Sequence, residues 1–387
     1  MAESATIRMT QLARDLKGEG HDVISLSVGE PDFDTPGFIR DAAKTALDDG
    51  YTRYTPVPGL MEFREAIVHK LKRDNGLSYD VNNIVVSNGA KQSISNLCSA
   101  LIDPGDEVII FTPYWVSYIE MVRLAGGVPV ELKADVSQDY KVTPQQLEAA
   151  INERTKFVLF SSPCNPTGSV YTESELSAFA NIIAPHERIY IVSDEIYEYI
   201  NFGGAHASIA NNEEVFDRTI VVNGMSKGFA MTGWRLGYMA APKFIAKACS
   251  KMQSQVTSGA SAFGQMAAAT ALMSNSDAPA QMTATFKRRR DMVLEELGKI
   301  NGLKLSIPSG AFYIFPDCSH FFGKSYEGTL INDSVDLAEN LLTKAHVATV
   351  AGAAFGAPDC IRLSYAASDE QLIEACRRLA EFFGKLT

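Results

Sequence analysis

The fold is decided by a short apolar run and the glycine-rich segment after it, which together read TIVVNGMSKGFAMTGWRLGY at residues 219–238. The run at 219–222 is β-branched and continuously apolar, which indicates a strand buried on both faces. Lys227 follows this run without a charged neighbour, and Ser226 and Arg235 offer groups suited to a phosphate. A lone lysine is usually a surface residue with a buried stem, but the glycines, serine and arginine around this one favour a functional site.

Four other short apolar runs resemble the one at 219–222. They lie at residues 84–86, 107–111, 157–160 and 189–192. Helix-patterned stretches such as 145–151 and 173–183 alternate with them, and helices between buried strands are crossover connections. The sequence therefore predicts an α/β fold with a mostly parallel sheet sandwiched by helices.

The chain length of 387 residues exceeds the size at which a single hydrophobic core usually stops growing. Beyond about residue 276 the pattern changes to long helices, at 276–298 and 369–386, around strands near 311–315 and 360–364. We therefore expect a large domain at residues 36–280 and a smaller α+β domain built from 1–35 plus 281–387.

Composition excludes several classes of protein. The net charge of −11, from 35 basic and 46 acidic residues, argues against a nucleic-acid partner, and we interpret the basic run at 287–290 as the solvated face of a helix. Six scattered cysteines without a CxxC pair favour reduced thiols in a cytoplasm. The six histidines lack metal-site spacing, so we predict no metal. The N-terminus does not resemble a signal peptide, and no run of about 18 apolar residues occurs, so we expect neither secretion nor a membrane span.

Polar residues follow each predicted strand, at the sheet edge where α/β proteins bind ligands. Gly89 and Ala90 open a helix after the first run and could present backbone N–H groups to an anion, although an ordinary strand-to-helix turn fits equally well. Asn165 follows the run at 157–160 and could donate to an oxygen, with a plain Asn-Pro turn as the alternative. Asp194 ends a buried strand and so needs a cation. A protonated pyridine nitrogen is one, and Tyr197 could reach a neighbouring phenolic oxygen.

Two further signals lie outside the predicted sheet. Arg362 is a guanidinium on an apolar strand, and its rigid fork suits a carboxylate, with a structural ion pair as the alternative. Gly29 lies in a turn, GEPDF at 29–33, that could bring a backbone N–H near a ligand.

These motifs occur in the order found in class I aminotransferases of the pyridoxal-phosphate (PLP) fold type I, and the resemblance extends over nearly the whole chain. The chain looks most similar to the subgroup Ib of prokaryotic aspartate aminotransferases. The matching segments are GEPDFDTP at 29–36, PYWVSY at 113–118 and AMTGWR at 230–235.

The resemblance implies that the cofactor is pyridoxal 5′-phosphate, held as a Schiff base on Lys227, which also moves the substrate proton. Asp194 would keep the pyridine nitrogen protonated, while Tyr197 and Asn165 would bond the phenolic oxygen. Other positions match residues that contact the cofactor in relatives. Trp115 would stack on its ring, and Gly89, Ala90, Lys91, Ser226 and Arg235 would surround the phosphate.

The same resemblance implies the substrates and the assembly. The substrate α-carboxylate would meet Arg362, Asn165 and Gly29, next to Trp115, and Lys91 would bond the distal carboxylate of a dicarboxylic substrate. Tyr54 would reach the cofactor of a second subunit, which makes the protein a homodimer with shared active sites. We expect a ping-pong transfer of an amino group from an acidic amino acid, aspartate, to a 2-oxo acid.

Alternatives and departures remain at this stage. The same residues serve aminotransferases of aromatic amino acids, alanine or prephenate, those using glyoxylate as acceptor, and PLP β-lyases. The chain begins without the basic segment of some relatives, which weakens a prephenate assignment. Arg8 is unusual in its place and could face solvent or recognise a carboxylate, and Cys164 replaces a more usual polar residue before Asn165.

Overall fold

The computed structural model describes residues 5–387, which form thirteen α-helices and fourteen β-strands. The helices are α1 Ala5–Gly18, α2 Gly37–Asp48, α3 Met61–Asn75, α4 Ala90–Leu101, α5 Ser117–Leu124, α6 Pro144–Ala150, α7 Glu173–Ile183, α8 Glu213–Phe216, α9 Lys243–Val256, α10 Ala262–Met273, α11 Ala278–Leu297, α12 Ser334–Ala345 and α13 Asp369–Gly384. The strands are β1 Ile24–Ser25, β2 Ile84–Ser87, β3 Glu107–Thr112, β4 Val128–Lys133, β5 Thr155–Ser161, β6 Tyr190–Asp194, β7 Thr219–Gly224, β8 Gly237–Ala240, β9 Tyr313–Ile314, β10 Ser325–Tyr326, β11 Thr329–Leu330, β12 Val347–Ala348, β13 Val350–Ala351 and β14 Ile361–Ser364.

The central sheet has seven strands in the order β2-β8-β7-β6-β5-β3-β4. Strand β8 is antiparallel to both of its neighbours, and the other six strands share one direction. All five apolar runs singled out in the sequence are strands of this sheet, so the predicted α/β fold with a mostly parallel sheet is confirmed. The carboxyl ends of six strands consequently meet at one edge.

Helices cover both faces of the sheet, because successive side chains of a strand point to opposite faces. In β2, Ile84 and Val86 belong to a core that contains Phe63 of α3, whereas Val85 belongs to a core that contains Leu97 of α4. The burial of every residue of β2 explains why its sequence is continuously apolar.

Small sheets and a separate apolar cluster bring the two ends of the chain together. Strand β1 pairs in parallel with β12, and β14 lies between β13 and β9. Leu26 packs in one cluster with Phe286 of α11 and Leu379 of α13. The domain boundaries at residues 35 and 280 stay our proposal. No helix within residues 5–387 has the length and apolar character that crossing a membrane requires.

The basic run at 287–290 is the predicted solvated face only in part, since Lys287 and Arg288 are exposed but the two residues after them are not. Arg289 is buried, and its guanidinium contacts Asp32 at 2.7 and 2.9 Å and Asp369 at 3.2 Å. Arg288 also pairs with Asp369. The run therefore fastens α11 to the turn after Gly29 and to the start of α13.

Candidate active site

Lys227 lies three residues beyond the end of β7, in the loop that leads to β8. Its ammonium group donates a hydrogen bond to the main-chain oxygen of Gly29. Burial lowers the pKa of Lys227 to about 8, although the charge of Glu30 acts in the opposite direction. A neutral, nucleophilic amine is therefore accessible near neutral pH.

Gly89 and Arg235 form a close contact at the edge of the sheet. Gly89 is the N-cap of α4 with φ of +85°, and a Cβ atom added there would collide with the Arg235 guanidinium. That guanidinium donates to the main-chain oxygens of Thr232, at 2.8 Å, and Asn88, at 3.3 Å. The free N–H groups at the start of α4, at Ala90, thus lie beside a positive charge, which is an arrangement for an anion. Ser226 is buried next to Lys227 in the chain.

Asp194 is the last residue of β6 and is buried. Its Oδ2 accepts a hydrogen bond of 2.5 Å from the hydroxyl of Tyr118, and its Oδ1 accepts one of 3.3 Å from the backbone of Ile196. Burial raises the pKa of Asp194 to about 6, and the bond from Tyr118 limits the rise. A cation placed against this carboxylate would restore its charge, because opposite charges favour the ionised form.

Arg362 on β14 is buried at 2 % exposure, and it contacts its neighbours by hydrogen bonds and by stacking against aromatic rings. It donates to Oδ1 of Asn165 at 3.0 Å and to the main-chain oxygen of Ser27 at 2.6 Å. Its Nε has no hydrogen-bond partner, and no carboxylate in residues 5–387 forms an ion pair with it. The alternative that Arg362 serves a structural ion pair is therefore wrong within that range.

Tyr197 and Tyr313 join the loop after β6 to strand β9. Their hydroxyl oxygens lie 2.7 Å apart, and the Tyr313 ring lies 4.6 Å from the Arg362 guanidinium carbon. A Cβ atom on Gly29 would lie 2.8 Å from the Tyr313 hydroxyl. The turn at Gly29 therefore has to be free of a side chain to approach the tyrosines.

Lys91 and Trp115 lie together at the outer part of this region. The Lys91 ammonium is 4.9 Å from the centre of the Trp115 ring, and burial together with the charge of Arg235 lowers the pKa of Lys91. Tyr54, in the loop between α2 and α3, is 99 % exposed on the surface of the single chain. Most of the predicted residues thus come from the sheet edge or the turn beside it, whereas Tyr54 comes from that exposed loop.

Two residues flagged as unusual have defined surroundings. Arg8 is exposed and pairs with Glu339 at 3.1 Å, which places it at the surface of α1. The thiol of Cys164 lies 3.6 Å from the main-chain oxygen of Pro113, and burial raises its pKa to about 11. Cys164 is thus a neutral thiol facing the loop that carries Trp115.

Sequence reasoning missed Tyr118 and Tyr313. Tyr118 lies in the segment PYWVSY, and Tyr313 lies in the apolar run at 311–315, but neither run has a motif that predicts a hydroxyl partner. A tyrosine inside an otherwise apolar run is a usable signal, because a buried phenol usually finds a hydrogen-bond partner.

The charges of Arg235, Arg362 and Asp194 all act on the pKa of Lys227, and we call the region that these four side chains share the cleft. The cleft combines the Lys227 amine, whose pKa is lowered, with the buried Asp194 carboxylate, which needs a cation. It also contains the anion cradle, formed by the N-terminus of α4 and the Arg235 guanidinium, and the Arg362 guanidinium, which has no counter-charge in residues 5–387. Each group fits a part of pyridoxal phosphate or of an amino acid bound to it. Fold and site together therefore define a PLP enzyme.

Comparison with known proteins identifies the family. The sequence pattern of aminotransferase class I and II matches residues 21–379. The chain is 49 % identical over 381 residues to the bifunctional aspartate aminotransferase and glutamate/aspartate-prephenate aminotransferase of Petunia hybrida, covering 97 % of this chain and 80 % of that protein. It is 45 % identical over 384 residues to the aspartate aminotransferase of Geobacillus stearothermophilus, covering 99 % of this chain and 96 % of that protein.

Solved structures of aspartate aminotransferases are similar to this chain over its whole length. The aspartate aminotransferase of Rhizobium meliloti superposes with a TM-score of 0.96 at 40 % identity, over 100 % of this chain and 98 % of that one. The Thermus thermophilus aspartate aminotransferase with maleate superposes with a TM-score of 0.92 at 42 % sequence identity, over 99 % of this chain and 97 % of that one. The protein belongs to the aminotransferase class I and II family and is a PLP-dependent transaminase. The predicted resemblance, cofactor and enzyme class are confirmed.

Proposed function

We propose that this transaminase takes its amino group from an acidic L-amino acid, aspartate, and delivers it to a 2-oxo acid. The observation that carries the proposal is Arg362, a buried guanidinium without a counter-charge in residues 5–387. A substrate α-carboxylate would supply that charge, and a planar fork binds a carboxylate by two parallel hydrogen bonds.

Lys91 supplies the preference for a second carboxylate. Lys91 is the second residue of α4, next to the N–H groups and the Arg235 guanidinium that suit an anion, and its ammonium lies over the Trp115 ring. Two cations at two sides of the cleft suit a substrate with two carboxylates. The names of the relatives support this assignment, as does the dicarboxylate maleate in the Thermus structure.

The cofactor would lie with its phosphate at Gly89, Ala90, Ser226 and Arg235, and its ring between Trp115 and the loop after β6. When bound, its protonated ring withdraws electrons from the substrate carbon and so makes the carbon-bound proton acidic. Asp194 would hold the ring proton, and Tyr197 and Asn165 would donate to the phenolic oxygen.

Lys227 is suited to two roles through one property, the burial that lowers its pKa to about 8. As a neutral amine, Lys227 would hold the cofactor through its aldehyde carbon. The same amine would accept the α-proton of the substrate and return it. The turn at Gly29 and the Tyr313 ring would close the cleft over the substrate and exclude water.

We further propose a homodimer with shared active sites, located in the cytoplasm. The Tyr54 ring is 99 % exposed on the single chain, so it is free to contact a second subunit. The cofactor phosphate of a second subunit is the partner we propose. The six cysteines in residues 5–387 are free thiols, which suits a reducing compartment.

Lys91→Ala tests the substrate assignment. We expect kcat/KM for aspartate to fall by about 10- to 100-fold, the value of one charge-assisted hydrogen bond, while turnover of alanine stays unchanged. Lys247→Ala, which removes an exposed lysine of α9, is the matched control. An equal change in kcat/KM for aspartate and alanine in Lys91→Ala would overturn the preference for a dicarboxylate.

A separate experiment identifies the amino acceptor. Turnover is measured with 2-oxoglutarate, oxaloacetate, glyoxylate and prephenate in turn.

A further inference from the structure

A second group of buried charges lies behind the cleft, on the opposite side of the strand end from Asp194. Ser193 and Asp194 are successive residues of β6, so their side chains point to opposite faces. Glu195, the next residue, contacts the Ser193 hydroxyl and therefore lies on the side away from Asp194. Glu195 is 1 % exposed, and its Oε1 accepts hydrogen bonds from Ser193 at 2.9 Å and Ser208 at 2.6 Å. A buried carboxylate next to Asp194 opposes ionisation of Asp194 unless its own charge is compensated.

His206 supplies that compensation. Its Nε2 lies 3.0 Å from Oε2 of Glu195, and both imidazole nitrogens and this carboxylate oxygen have no other hydrogen-bond partner in the described chain. Burial works against a charged imidazole, but the carboxylates of Glu195 and Glu198 outweigh it, so the pKa of His206 lies above its usual value. Burial likewise works against the Glu195 carboxylate, yet His206 holds the pKa of Glu195 below its usual value.

The remaining charges of this group balance among themselves. Lys70 of α3 is fully buried, contacts Oε1 of Glu198 and donates to Oδ1 of Asn75 at 2.8 Å. Asn75 in turn donates to Oε2 of Glu198 at 3.0 Å. Two carboxylates, one ammonium and one imidazolium then sum to zero charge, which a buried cluster requires.

The other titratable groups around the cluster leave this balance unchanged. Tyr79 and Tyr238 face it as neutral phenols, because burial and the nearby carboxylates raise their pKa values. Asp74, at the end of α3, is engaged by Arg73 through hydrogen bonds of 2.6 and 3.0 Å. The charge on His206 is therefore the one that decides whether Glu195 is compensated.

We propose that His206 is a positioning residue for the cofactor, whose imidazolium neutralises Glu195 behind the strand end and so keeps Asp194 an anion opposite the cofactor ring nitrogen. This proposal rests on the role given to Asp194 above. A bound metal is the competing use of the cluster, since ligand atoms of Glu195, Glu198 and His206 lie within 4.8 Å of one another. The ammonium of Lys70 already fills the place of a cation beside Glu198.

The first measurement needs no variant. In the holoenzyme labelled with ¹⁵N-histidine, the nitrogen shifts of His206 should report a charged ring at pH 7. A neutral ring at that pH would overturn the proposal, and so would stoichiometric divalent metal in the purified enzyme that disappears in His206→Gln.

The second measurement compares His206→Gln with the double variant Glu195→Gln/His206→Gln. In the single variant Glu195 is left uncompensated, so the pH midpoint of the bound cofactor's visible absorbance should move upward by about one unit, and kcat should fall. The double variant removes both charges and should return the midpoint toward that of the wild type. Equal shifts in both variants would indicate a merely structural role and refute the proposal. His186→Gln, at an exposed histidine, is the control.

Asp194→Asn distinguishes the role of Asp194 from the role of His206. If Asp194→Asn leaves the absorbance profile unchanged, the role of Asp194 itself fails. If Asp194→Asn changes the profile and His206→Gln does not, only the proposal for His206 fails.

Discussion

The hydroxyl of Tyr118 donates a hydrogen bond of 2.5 Å to Oδ2 of Asp194. Tyr118 lies on α5, after β3, whereas Asp194 ends β6, so the bond links two separate strand ends. It is the strongest stabilising contact that the protein gives to the Asp194 anion, against a larger unfavourable effect of burial.

Tyr118→Phe should therefore raise the pKa of Asp194 further and weaken its hold on the ring nitrogen. We expect kcat to fall by about tenfold, the rate equivalent of about 1.4 kcal/mol, with little change in the KM for the amino acid. The measurement is the pH profile of kcat. Tyr326→Phe, at a tyrosine of β10 that is 6 % exposed and lies outside the site, is the control. An unaltered profile in Tyr118→Phe would contradict the prediction.

The lowered pKa of Lys227 predicts a pH dependence for cofactor binding. Only the neutral amine attacks the aldehyde, so the rate at which apoenzyme takes up pyridoxal phosphate should rise with pH through a midpoint at about 8. Stopped-flow absorbance measures this rate, with a free lysine derivative as the reference for titration of the aldehyde itself. A midpoint near 10.5, the ordinary lysine value, would show that burial does not act on Lys227 as described.

Gly29→Ala should disturb the contact with Tyr313. The added methyl group would lie 2.8 Å from the Tyr313 hydroxyl, so we expect the free energy of unfolding to fall by about 1–3 kcal/mol, as in other overpacked sites. In a Tyr313→Phe background the same substitution should cost less, since the obstructing oxygen is gone. Chemical denaturation measures both, and Gly37→Ala, where the structure leaves open space, is the matched control. An equal penalty in both backgrounds would exclude Tyr313 as the cause.

Arg362→Lys should impair all amino acids alike, unlike Lys91→Ala. A lysine keeps the charge but loses the two-pronged contact, so kcat/KM for both aspartate and alanine should fall by about 10- to 100-fold. Steady-state kinetics with both substrates measures this, and Arg288→Lys, at a surface ion pair, is the control. Selective loss of aspartate turnover would assign Arg362 to the distal carboxylate instead.

The sequence predicted the central strands well, because strands buried on both faces leave a continuous apolar run. It did not reveal β4, whose residues are half exposed and include Pro129, or β8, which is embedded in the segment after Lys227. Exposure removes the continuous apolar run in β4. Strand β8 is fully buried, but its sequence GYMA has no β-branched residue and so does not stand out from the loop before it.

The site was predictable where function depends on residues next to a strand end. Asn165, Asp194 and Lys227 follow buried strands, so their chemical type stands out locally. Tyr118 and Arg289 were missed because their partners are 76 and 257 residues away, at Asp194 and Asp32. Contacts of that kind depend on the tertiary fold, so a single sequence can indicate a buried phenol but does not identify its partner.

The exposure of Tyr54 has a genetic consequence. In the proposed dimer the Tyr54 ring of each chain contacts the cofactor of the other chain. A chain with an inactive site of its own can therefore still complete the active site of its partner. Mixed dimers of Lys227→Ala and wild-type chains should keep one working site, and a dead allele should halve activity in such dimers rather than abolish it. Two different inactive alleles, one lacking the lysine and one lacking the tyrosine, should complement each other when they are expressed together.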